Sequence, residues 1–435
     1  MPGDFANQER YHFHFPPRIL VRSDKDLPNP NSGSTYAQRP STHAIRRSGG
    51  LTLAREHWPA SVGRGLELQV FGVGGAAREP AVAWSRTLER SLCYSYGCWE
   101  VLEARRPRPI DLIVGRSAGL GSTLFAPVYA PAPARVNLFD YYFHPRQNDL
   151  AAEIAADAPA AYVHWRRSAN SIELLDLEQC DLAWTATNWQ RHLFPVDYRN
   201  DLWVQHDGIA TAGPGDVTPR DRRTARRSLA GRLVPEGTRV VSFVARSLER
   251  LRGFDRFWHA ANALLRARAD VVCVIVGDPV VQRGLDVQHN NRNYPAQLQD
   301  AVPPVDPERL WFLGRATPGA VAEVLAASDL HLAPGRSYPV ARSLLEAMAA
   351  GCIVLASDTA PHREVISHGQ TGLLADVADP DALYRQALAV LGNLDEHRPL
   401  GDAAAELVRS RYAQEVCLPV LAERFSTLAA TRGRR

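Results

Sequence analysis

Short apolar runs that alternate with longer amphipathic stretches dominate the second half of the chain. The runs begin at Val240 (VVSFVA), Val271 (VVCVIV) and Leu330 (LHLA), and polar or glycine-containing segments separate them. Apolar runs of this length are typical of strands that are buried on both faces, and helices between them are the crossovers of a parallel sheet. The pattern therefore predicts a doubly wound α/β domain.

The rest of the second half fits the same pattern. Two further strands are predicted at Leu310–Leu313 and Ile353–Ala356. Apolar residues recur with helical spacing in five segments, which we predict as helices: Phe254–Ala267, Pro318–Ala327, Arg342–Ala350, Pro380–Leu391 and Ala403–Leu428.

The first half shows a weaker version of the alternation. Strand-like runs are found at Arg18–Ser23, Glu67–Gly72, Ile110–Gly115, Arg135–Phe139 and Cys180–Ala186. A long helix-compatible stretch, Ala83–Ala104, lies between the second and third of them. We therefore predict a second parallel sheet in this half.

The length of 435 residues suggests about two or three domains. A segment rich in Gly, Pro, Thr and Arg at 211–237 is typical of an interdomain linker with a short helical piece. We predict an N-terminal domain at 1–210 and a C-terminal domain at 238–405. A final helix at 406–435 is expected to pack back across the domains.

Charge and composition exclude several classes of protein. With 50 basic and 47 acidic residues the net charge is +3, which does not favour a nucleic-acid partner. No apolar run reaches the roughly 18 residues of a membrane helix, and the first residues do not resemble a signal peptide. The six cysteines form no CxxC pair, so we expect no zinc site and a reducing, cytoplasmic location.

A candidate anion site follows the strand that begins at Val240. The strand leads into a short basic loop with Arg246 and Arg252, and Gly253 opens the next helix. A helix N-terminus offers free N–H groups and a positive dipole, and arginine adds a planar fork of donors. An arginine pair in a surface loop is the alternative interpretation.

A second helix points to the same edge of the sheet. It follows the loop Ser337–Ala341 and carries Glu346 about one turn inside. A carboxylate there can accept hydrogen bonds from the two hydroxyls of a ribose, or it can simply complement the helix dipole.

The second half resembles the donor domain of glycosyltransferase family 4, retaining enzymes of the GT-B fold. The matching segments are ARSLERLRGF, LWFLGRATPGAVAEVLAASDLHLAP, SYPVARSLLEAMAAGCIVLASDTAPHREVI and HGQTGLL, within about residues 238–375. In the first half, NLFDYYFHPR, LDLEQCDLAWTATNWQRHLFP and VQHDGI resemble a bacterial subgroup of this family. The resemblance implies an α/β GT-B fold, with two Rossmann-like doubly wound domains facing a central cleft.

The resemblance also assigns the donor site. Arg246 and Arg252 would bind the donor diphosphate, together with the backbone N–H groups of Val340 and Ala341. Glu346 matches the second Glu of the family's E-x7-E motif and would bind the ribose. Tyr338 stands at the position of the first Glu, in the donor-sugar region.

Three further positions complete the expected donor site. Gly314 and Arg315 would lie beside the base, with Arg315 contributing backbone rather than side chain. Gly33, in the loop after the first strand, either approaches the donor phosphates or is a flexible turn glycine.

The N-terminal domain is expected to supply the acceptor site and the catalytic groups. The candidates are Asp140 and His144, just after a predicted strand, where a carboxylate or imidazole can stabilise charge or accept a proton. Asp140 as a helix cap and His144 as a surface residue are the alternatives. Trp58, Trp84 and Trp99 either line an acceptor groove or belong to the core.

The residues and the resemblance together predict a hexosyltransferase that uses a UDP- or GDP-sugar, and the resemblance implies that the anomeric configuration is retained. We expect no cofactor and no metal, since arginine and helix dipoles can stabilise the leaving diphosphate. The acceptor is a hydroxyl on a glycan, a lipid-linked sugar or a small molecule, and the basic linker leaves a peripheral membrane contact open. Alternatives are a sugar phosphorylase, a nucleotide-sugar epimerase or a non-catalytic GT-B partner protein.

Overall fold

The computed structural model describes most of the second half of the chain and shorter parts of the first half. The described residues are 19–22, 50–54, 66–70, 82–104, 112–117, 123–125, 134–144, 160–211, 228–229, 231–281, 293–376 and 378–432. Contacts divide them into two compact units. The first unit contains the described residues up to 144, residues 160–207 and residues 418–432, and the second contains those within 208–417.

The first unit is built on a parallel sheet. Its strands are β1 (Ile19–Arg22), β2 (Gly50–Ala54), β3 (Leu66–Val70), β4 (Leu112–Arg116), β5 (Ala134–Leu138), β6 (Leu182–Thr185) and β7 (Leu202–Val204). They pair in the order β3-β2-β1-β4-β5-β6-β7, and every neighbouring pair is parallel. The predicted parallel sheet is confirmed, and β2 is a strand that the sequence patterns did not indicate.

Helices cover this sheet. They are α1 (Arg86–Ala104), α2 (Ala160–Gln179), α3 (Asn188–Leu193) and α4 (Val196–Arg199). The end of the chain also belongs to this unit: Leu421 and Phe425 are fully buried against Leu112, Val136 and Trp184 of the sheet. These contacts bury apolar side chains on one face of β4 to β6.

The second unit holds a longer and more regular sheet. Its strands are β10 (Arg239–Ser247), β11 (Val271–Asp278), β12 (Leu310–Gly314), β13 (Leu330–Ala333), β14 (Ile353–Ser357) and β15 (Leu373–Ala375). They pair in parallel in the order β12-β11-β10-β13-β14-β15. This is the strand order of a doubly wound dinucleotide-type fold, as the sequence predicts.

Helices flank the second sheet on both faces. They are α5 (Phe254–Ala267), α6 (Tyr294–Ala301), α7 (Pro318–Ala327), α8 (Arg342–Ala349), α9 (Ala360–Val365), α10 (Ala382–Gly392) and α11 (Leu394–Arg411). The last helix, α12 (Gln414–Arg432), belongs to the first unit from Leu418 onward. On one face Phe243, Phe254, Phe257 and Trp258 form the centre of a buried apolar cluster, and on the other Val274, Leu344 and Met348 do so. Because both faces are covered, the strands are continuous apolar runs rather than alternating ones.

Two predicted segments differ from the structure. The predicted helix Ala403–Leu428 is two helices, because α11 ends at Arg411 and Ala413 forms a backbone bridge with Ile209 before α12 begins. In the predicted linker 211–237, Ser228–Leu229 (β8) pairs antiparallel with Arg232–Leu233 (β9). Residues 212–227 and 230 of that linker lie outside the described residues, so its predicted helical piece stays a prediction.

Within the described part of the chain, no helix combines the length and the apolar character that a membrane span requires.

The first unit contains a buried carboxylate in helix α2. Asp176 of α2 is 1% exposed and accepts hydrogen bonds from Ser117 Oγ (2.7 Å) and Thr123 Oγ1 (3.1 Å). Burial raises the pKa of Asp176 to about 6, although the two hydroxyl donors oppose this shift. The native state therefore holds a proton on Asp176 at pH values where the unfolded chain has lost it.

We expect Asp176→Asn to change how stability depends on pH. The contribution of Asp176 is present below its ordinary pKa of 3.8 and is lost as the pH rises through about 6. Between pH 5 and pH 7.5 the wild type should lose about 1–2 kcal/mol of unfolding free energy through this group alone. Asp176→Asn should lack that loss in urea unfolding followed by tryptophan fluorescence. Asp201→Asn, at an exposed carboxylate, is the control that should keep it, and an equal loss in both variants would contradict the assignment.

Candidate functional site

The topological switch point of the second sheet lies between β10 and β13. From these neighbouring strands the sheet continues in opposite directions, to β11 on one side and to β14 on the other. The carboxyl ends of the strands at such a point form the usual ligand crevice of an open α/β sheet. A pocket of about 30 Å³ lies there. This is roughly two water-sized volumes, so the pocket accommodates one end of a ligand.

The walls of this pocket are apolar and cationic. Its polar lining residues are Arg252, Arg336, Tyr338, Ser343 and His362. Among the described residues that line it, there is no Asp or Glu. A small recess with two guanidinium groups and no carboxylate on its wall favours an anion.

Arg252 is held in place by its neighbours. Its Nη1 donates to the Pro339 carbonyl over 3.3 Å, and its guanidinium carbon lies 5.1 Å from the centroid of the Tyr338 ring. Its Nε is 3.8 Å from Oε1 of Glu249, which is buried and accepts a 2.8 Å hydrogen bond from Ser247 Oγ. The cation is therefore pre-positioned at the pocket before any ligand binds.

The turn that carries Arg252 packs directly on the loop after β13. Gly253 has φ +76°, and a Cβ added to it would lie 1.9 Å from the Pro334 carbonyl oxygen. Only glycine fits both this left-handed backbone and this contact. The backbone N–H of Arg336 also donates to the Leu251 carbonyl over 3.1 Å, which joins the same two loops.

Arg336 is a pocket residue that sequence reasoning missed. It is 7% exposed, and its Nη2 donates to Asp255 Oδ2 over 2.9 Å while its Nη1 contacts Asp255 Oδ1 and the Arg250 carbonyl. Burial alone would raise the pKa of Asp255, but the hydrogen bonds and charge of Arg336 outweigh it and lower that pKa. The available signal was an arginine directly after the Pro-Gly that ends a buried strand.

The N-terminus of α8 faces the same pocket. Val340 precedes the helix, Ala341 is its N-cap and supplies no side-chain cap, and Ser343 Oγ donates to the Val244 carbonyl over 2.8 Å. Within the described residues, no protein group accepts a hydrogen bond from the backbone N–H of Val340 or Ala341. These N–H groups and the helix dipole are available to an anion.

His362 is the second pocket residue that the sequence did not reveal. This imidazole, in α9, is 5% exposed, and its Nδ1 lies 2.8 Å from the Ser357 carbonyl oxygen. Burial, with a smaller effect from the nearby charge of Arg252, lowers the pKa of His362 to about 4, although the hydrogen bond to the Ser357 carbonyl opposes this shift. The ring is therefore neutral at physiological pH.

The other predicted donor residues are not on the wall of this pocket. Arg246 is exposed in an irregular part of β10, where the pairing with β11 shifts register. Gly314 ends the edge strand β12 with φ +63°, and Arg315 follows it with an exposed side chain. Glu346 is half-buried in α8. Of the predicted set, the structure brings together Arg252, Tyr338 and Ala341.

In the first unit, Asp140 lies two residues after the end of β5 and forms an ion pair with Arg116, the last residue of β4. Its backbone carbonyl accepts a 2.8 Å hydrogen bond from Gln190 Nε2. Residues 141–144 are not helical, so Asp140 is not the helix cap that was considered as an alternative. Arg116 was not singled out from the sequence, because its role depends on the pairing of β4 with β5.

His144 lies at the end of the same loop and is half-buried. Its Nε2 contacts the Leu193 carbonyl over 2.5 Å. A carbonyl only accepts, so Nε2 carries the proton and Nδ1 is the basic nitrogen of the neutral ring. The loop itself is fixed by Asn170, whose side-chain amide bonds both the N–H and the C=O of Phe143 (2.9 and 2.7 Å).

The remaining candidates are scattered. Trp84 is 42% exposed, whereas Trp99 is half-buried and contacts the Tyr96 ring at 5.4 Å. Gly33 and Trp58 lie outside the described residues. In the described ranges, no three His, Cys, Asp or Glu side chains converge as metal ligands do.

Comparison with known proteins agrees with this geometry. The profile of the family described as "Glycosyl transferases group 1" matches residues 238–393, and that of "Glycosyl transferase family 4 group" matches residues 53–213. The chain belongs to the group 1 glycosyltransferases. Its fold is GT-B, with two Rossmann-like parallel-sheet units.

Curated relatives match in part. The D-inositol 3-phosphate glycosyltransferase of Corynebacterium efficiens is 30% identical over 232 residues, 52% of this chain and 52% of its own. The GDP-mannose-dependent alpha-mannosyltransferase of Mycolicibacterium smegmatis is 31% identical over 183 residues, 42% of each chain. The chain thus spans about half the length of these relatives, or less.

Among solved structures, the sucrose-phosphate synthase of Thermosynechococcus elongatus superimposes with a TM-score of 0.67 at 15% identity. The superposition covers 88% of this chain and 89% of that one. At this identity the likeness shows the fold alone.

Gly253→Ala should destabilise the second unit more than the same change at another left-handed glycine. Gly237 has φ +80° with no atom near its added Cβ, so Gly237→Ala measures the backbone cost alone, about 1–2 kcal/mol. Gly253→Ala must also push Pro334 away, which adds about 1–3 kcal/mol. Denaturant unfolding of both variants measures the difference. Equal losses would show that the contact of Gly253 with Pro334 is not a constraint.

Proposed function

We propose that the protein transfers a sugar from a nucleotide-diphosphate sugar to a hydroxyl acceptor, with retention at the anomeric carbon. The observation that carries this proposal is the cationic pocket at the switch point, where Arg252 meets the N-terminus of α8. Family membership supports the reaction class. Retention rests on the resemblance to family 4 and not on a distance within the site.

The pocket suits the diphosphate because charge develops there when the glycosidic bond to the donor breaks. Arg252 offers a guanidinium fork, and Val340 and Ala341 offer backbone N–H groups at a helix N-terminus. Such preorganised donors stabilise the leaving diphosphate more than water does. The reaction then needs no metal, and full activity in EDTA is the expected behaviour.

We assign the nucleoside to the residues around α8 and the end of β12. Glu346 would accept hydrogen bonds from the ribose hydroxyls, and the backbone at Gly314 and Arg315 would lie beside the base. Arg246 and Gly33 would add phosphate contacts. The name of the mycolicibacterial relative contains GDP-mannose, and for this chain both UDP and GDP remain candidates.

The catalytic groups are assigned to the loop after β5. His144 offers Nδ1 as a base for the acceptor hydroxyl. Asp140 forms an ion pair with Arg116, so we assign to it the role of holding that positive charge in place. The hydroxyl would attack from the leaving-group face, and a diphosphate oxygen is the alternative proton acceptor. We place the reaction in the cytoplasm of a bacterium, and we leave the acceptor as a glycan, lipid-linked or small-molecule hydroxyl.

A second candidate function follows from Tyr338. An aromatic ring over Arg252, where the family motif has Glu, would fit a non-catalytic GT-B partner that keeps the fold. Such a protein would bind a partner enzyme and turn over no donor.

Thermal unfolding with UDP, GDP, ADP, TDP, CDP and inorganic pyrophosphate tests the donor site. One nucleoside diphosphate at a hundred times its dissociation constant should stabilise the protein by about 2.7 kcal/mol. Arg252→Ala should abolish this shift and that of pyrophosphate, whereas Glu346→Ala should weaken only the nucleotide.

The control for that experiment is Arg250→Ala. Arg250 belongs to the same basic turn, but its guanidinium carbon lies 4.5 Å from the centroid of the Tyr294 ring. The nucleotide shift should survive this change. No shift with any nucleotide in the wild type would favour the non-catalytic candidate.

His144→Ala should slow donor turnover by about 10²–10⁴-fold and leave the nucleotide-induced thermal shift unchanged, because the base acts after donor binding. Release of the nucleoside diphosphate from UDP-glucose and GDP-mannose measures turnover. The exposed His192, whose Nδ1 lies 2.7 Å from the Asn188 carbonyl oxygen, provides the control His192→Ala. Equal rates in the two variants would remove His144 from the mechanism.

A further inference from the structure

His362 has no task in the proposed function, although it lines the same pocket as Arg252. The pocket holds about 30 Å³, so a group that enters it comes close to every side chain on its wall. An imidazole on the wall of an anion pocket therefore needs an explanation beyond packing.

The hydrogen bond of His362 fixes the orientation of the ring. The Ser357 carbonyl oxygen only accepts, so Nδ1 of His362 carries the proton and Nε2 holds the lone pair. Among the described residues, none is a hydrogen-bond partner of Nε2. The neighbouring Cε1 would be 3.8 Å from a Cβ on Gly335, which places this edge of the ring against the loop after β13.

Six charged side chains around His362 form three pairs of opposite charge. Arg252 is beside Glu249, Arg336 is paired with Asp255, and on the side of α9 Asp358 is paired with Arg363. Other titratable or charged groups on these elements include Arg250, which lies over the Tyr294 ring, Arg256, whose charge lowers the pKa of Asp255, Glu364 near Tyr412, and His368, which accepts from the Leu374 N–H. The formal charge of the three pairs sums to zero.

A diphosphate that enters this pocket brings two negative charges to a balanced environment. The α8 N–H groups supply only partial charge, roughly half an elementary charge for a helix end. A neutral Nε2 would point a lone pair at the anion, whereas a protonated one would donate a hydrogen bond and add a full charge.

We propose that His362 binds the donor diphosphate through Nε2 and takes up one proton from solvent when it does so. This inference rests on the proposed function, since it takes the pocket ligand to be the donor diphosphate. Burial keeps the ring neutral in the free protein, with a pKa of about 4, and a neighbouring dianion raises that pKa.

The consequence is a coupling between donor binding and pH. The bound form has the higher pKa, so the proton is taken up at pH values between the free and the bound pKa. Within that window the affinity for the donor rises as the pH falls, by up to about tenfold per pH unit.

Isothermal titration of the full chain with UDP-glucose and with GDP-mannose measures the proton directly. The diphosphate of a nucleotide sugar is a diester that does not titrate between pH 5 and pH 8, so the ligand contributes no proton of its own. At pH 5.5, 6.5 and 7.5, in buffers with different ionisation enthalpies, we expect an uptake that grows toward low pH and approaches one proton.

His362→Asn is the informative variant. The Asn side-chain amide can still donate to the Ser357 carbonyl, as Nδ1 does, but it lacks Nε2. We expect binding without proton uptake, and affinity that no longer rises at low pH. His331→Gln is the matched control, because His331 is also buried with a pKa of about 4 but bonds Ser242 and is not on the pocket wall. Its variant should keep the wild-type uptake.

Two results would overturn the inference alone: wild-type binding with no proton uptake at any of these pH values, or the same uptake in His362→Asn. In both cases donor binding, and with it the proposed function, still stands. If neither nucleotide sugar binds at millimolar concentration at any pH, the proposed function fails and this inference fails with it.

If His362→Asn does not fold, the ¹⁵N signals of the imidazole nitrogens in the wild type test the inference instead. Addition of the bound nucleotide sugar at pH 6.5 should convert one imidazole to imidazolium in a ¹⁵N spectrum. Unchanged imidazole signals would contradict the inference.

Discussion

The pocket at the switch point of the second sheet depends on the contact between two loops that leave neighbouring strands. Gly253, after β10, lies against the carbonyl of Pro334, after β13, with no room for a side chain between them. This approach brings Arg252 and Arg336 to one recess, although they are far apart in sequence. The backbone hydrogen bond from Arg336 to Leu251 is a second connection between the same turn and loop. The parallel pairing of β10 with β13 sets the distance that makes such a contact feasible.

The two pocket arginines, Arg252 and Arg336, differ in how closely each is paired with a carboxylate. Arg336 is almost fully buried and forms a two-point ion pair with Asp255, a geometry that offsets the cost of burying both ions. Arg252 is more exposed, and its carboxylate neighbour Glu249 lies at 3.8 Å, beyond hydrogen-bond distance. Arg336 therefore acts as a structural support, whereas Arg252 is the cation that an incoming anion can recruit.

Sequence patterns predicted the second sheet well because its strands are buried on both faces and are long apolar runs. They missed β2, whose residues GLTLA begin with glycine and include a polar threonine. They also joined α11 to α12, since no glycine or proline marks the break at Tyr412. That break comes from the pairing of Ala413 with Ile209, which is a contact between distant parts of the chain.

The candidate site shows the same limit. Arg252 was predicted from local order, because a strand, a loop and a helix N-terminus follow each other in the sequence, whereas Ala341 came from the family resemblance. Arg336 and His362 were not predicted, because one needs Asp255 and the other needs Ser357 to acquire a role. Arg116 likewise becomes the partner of Asp140 only when β4 pairs with β5. Side chains whose function depends on tertiary partners leave no periodic signal.

Tyr338 is the largest departure from the family motif, and its contact with Arg252 gives that departure a physical meaning. A carboxylate at this position would compete with phosphate for the guanidinium. An aromatic face stabilises the same cation by roughly 0.5–2 kcal/mol without neutralising its charge. Arg252 thus stays ordered and keeps its charge, which the proposed diphosphate site requires. If the proposed function holds, discrimination among donor sugars comes from groups other than a carboxylate at this position, and we expect the substitution to change sugar recognition more than phosphate recognition.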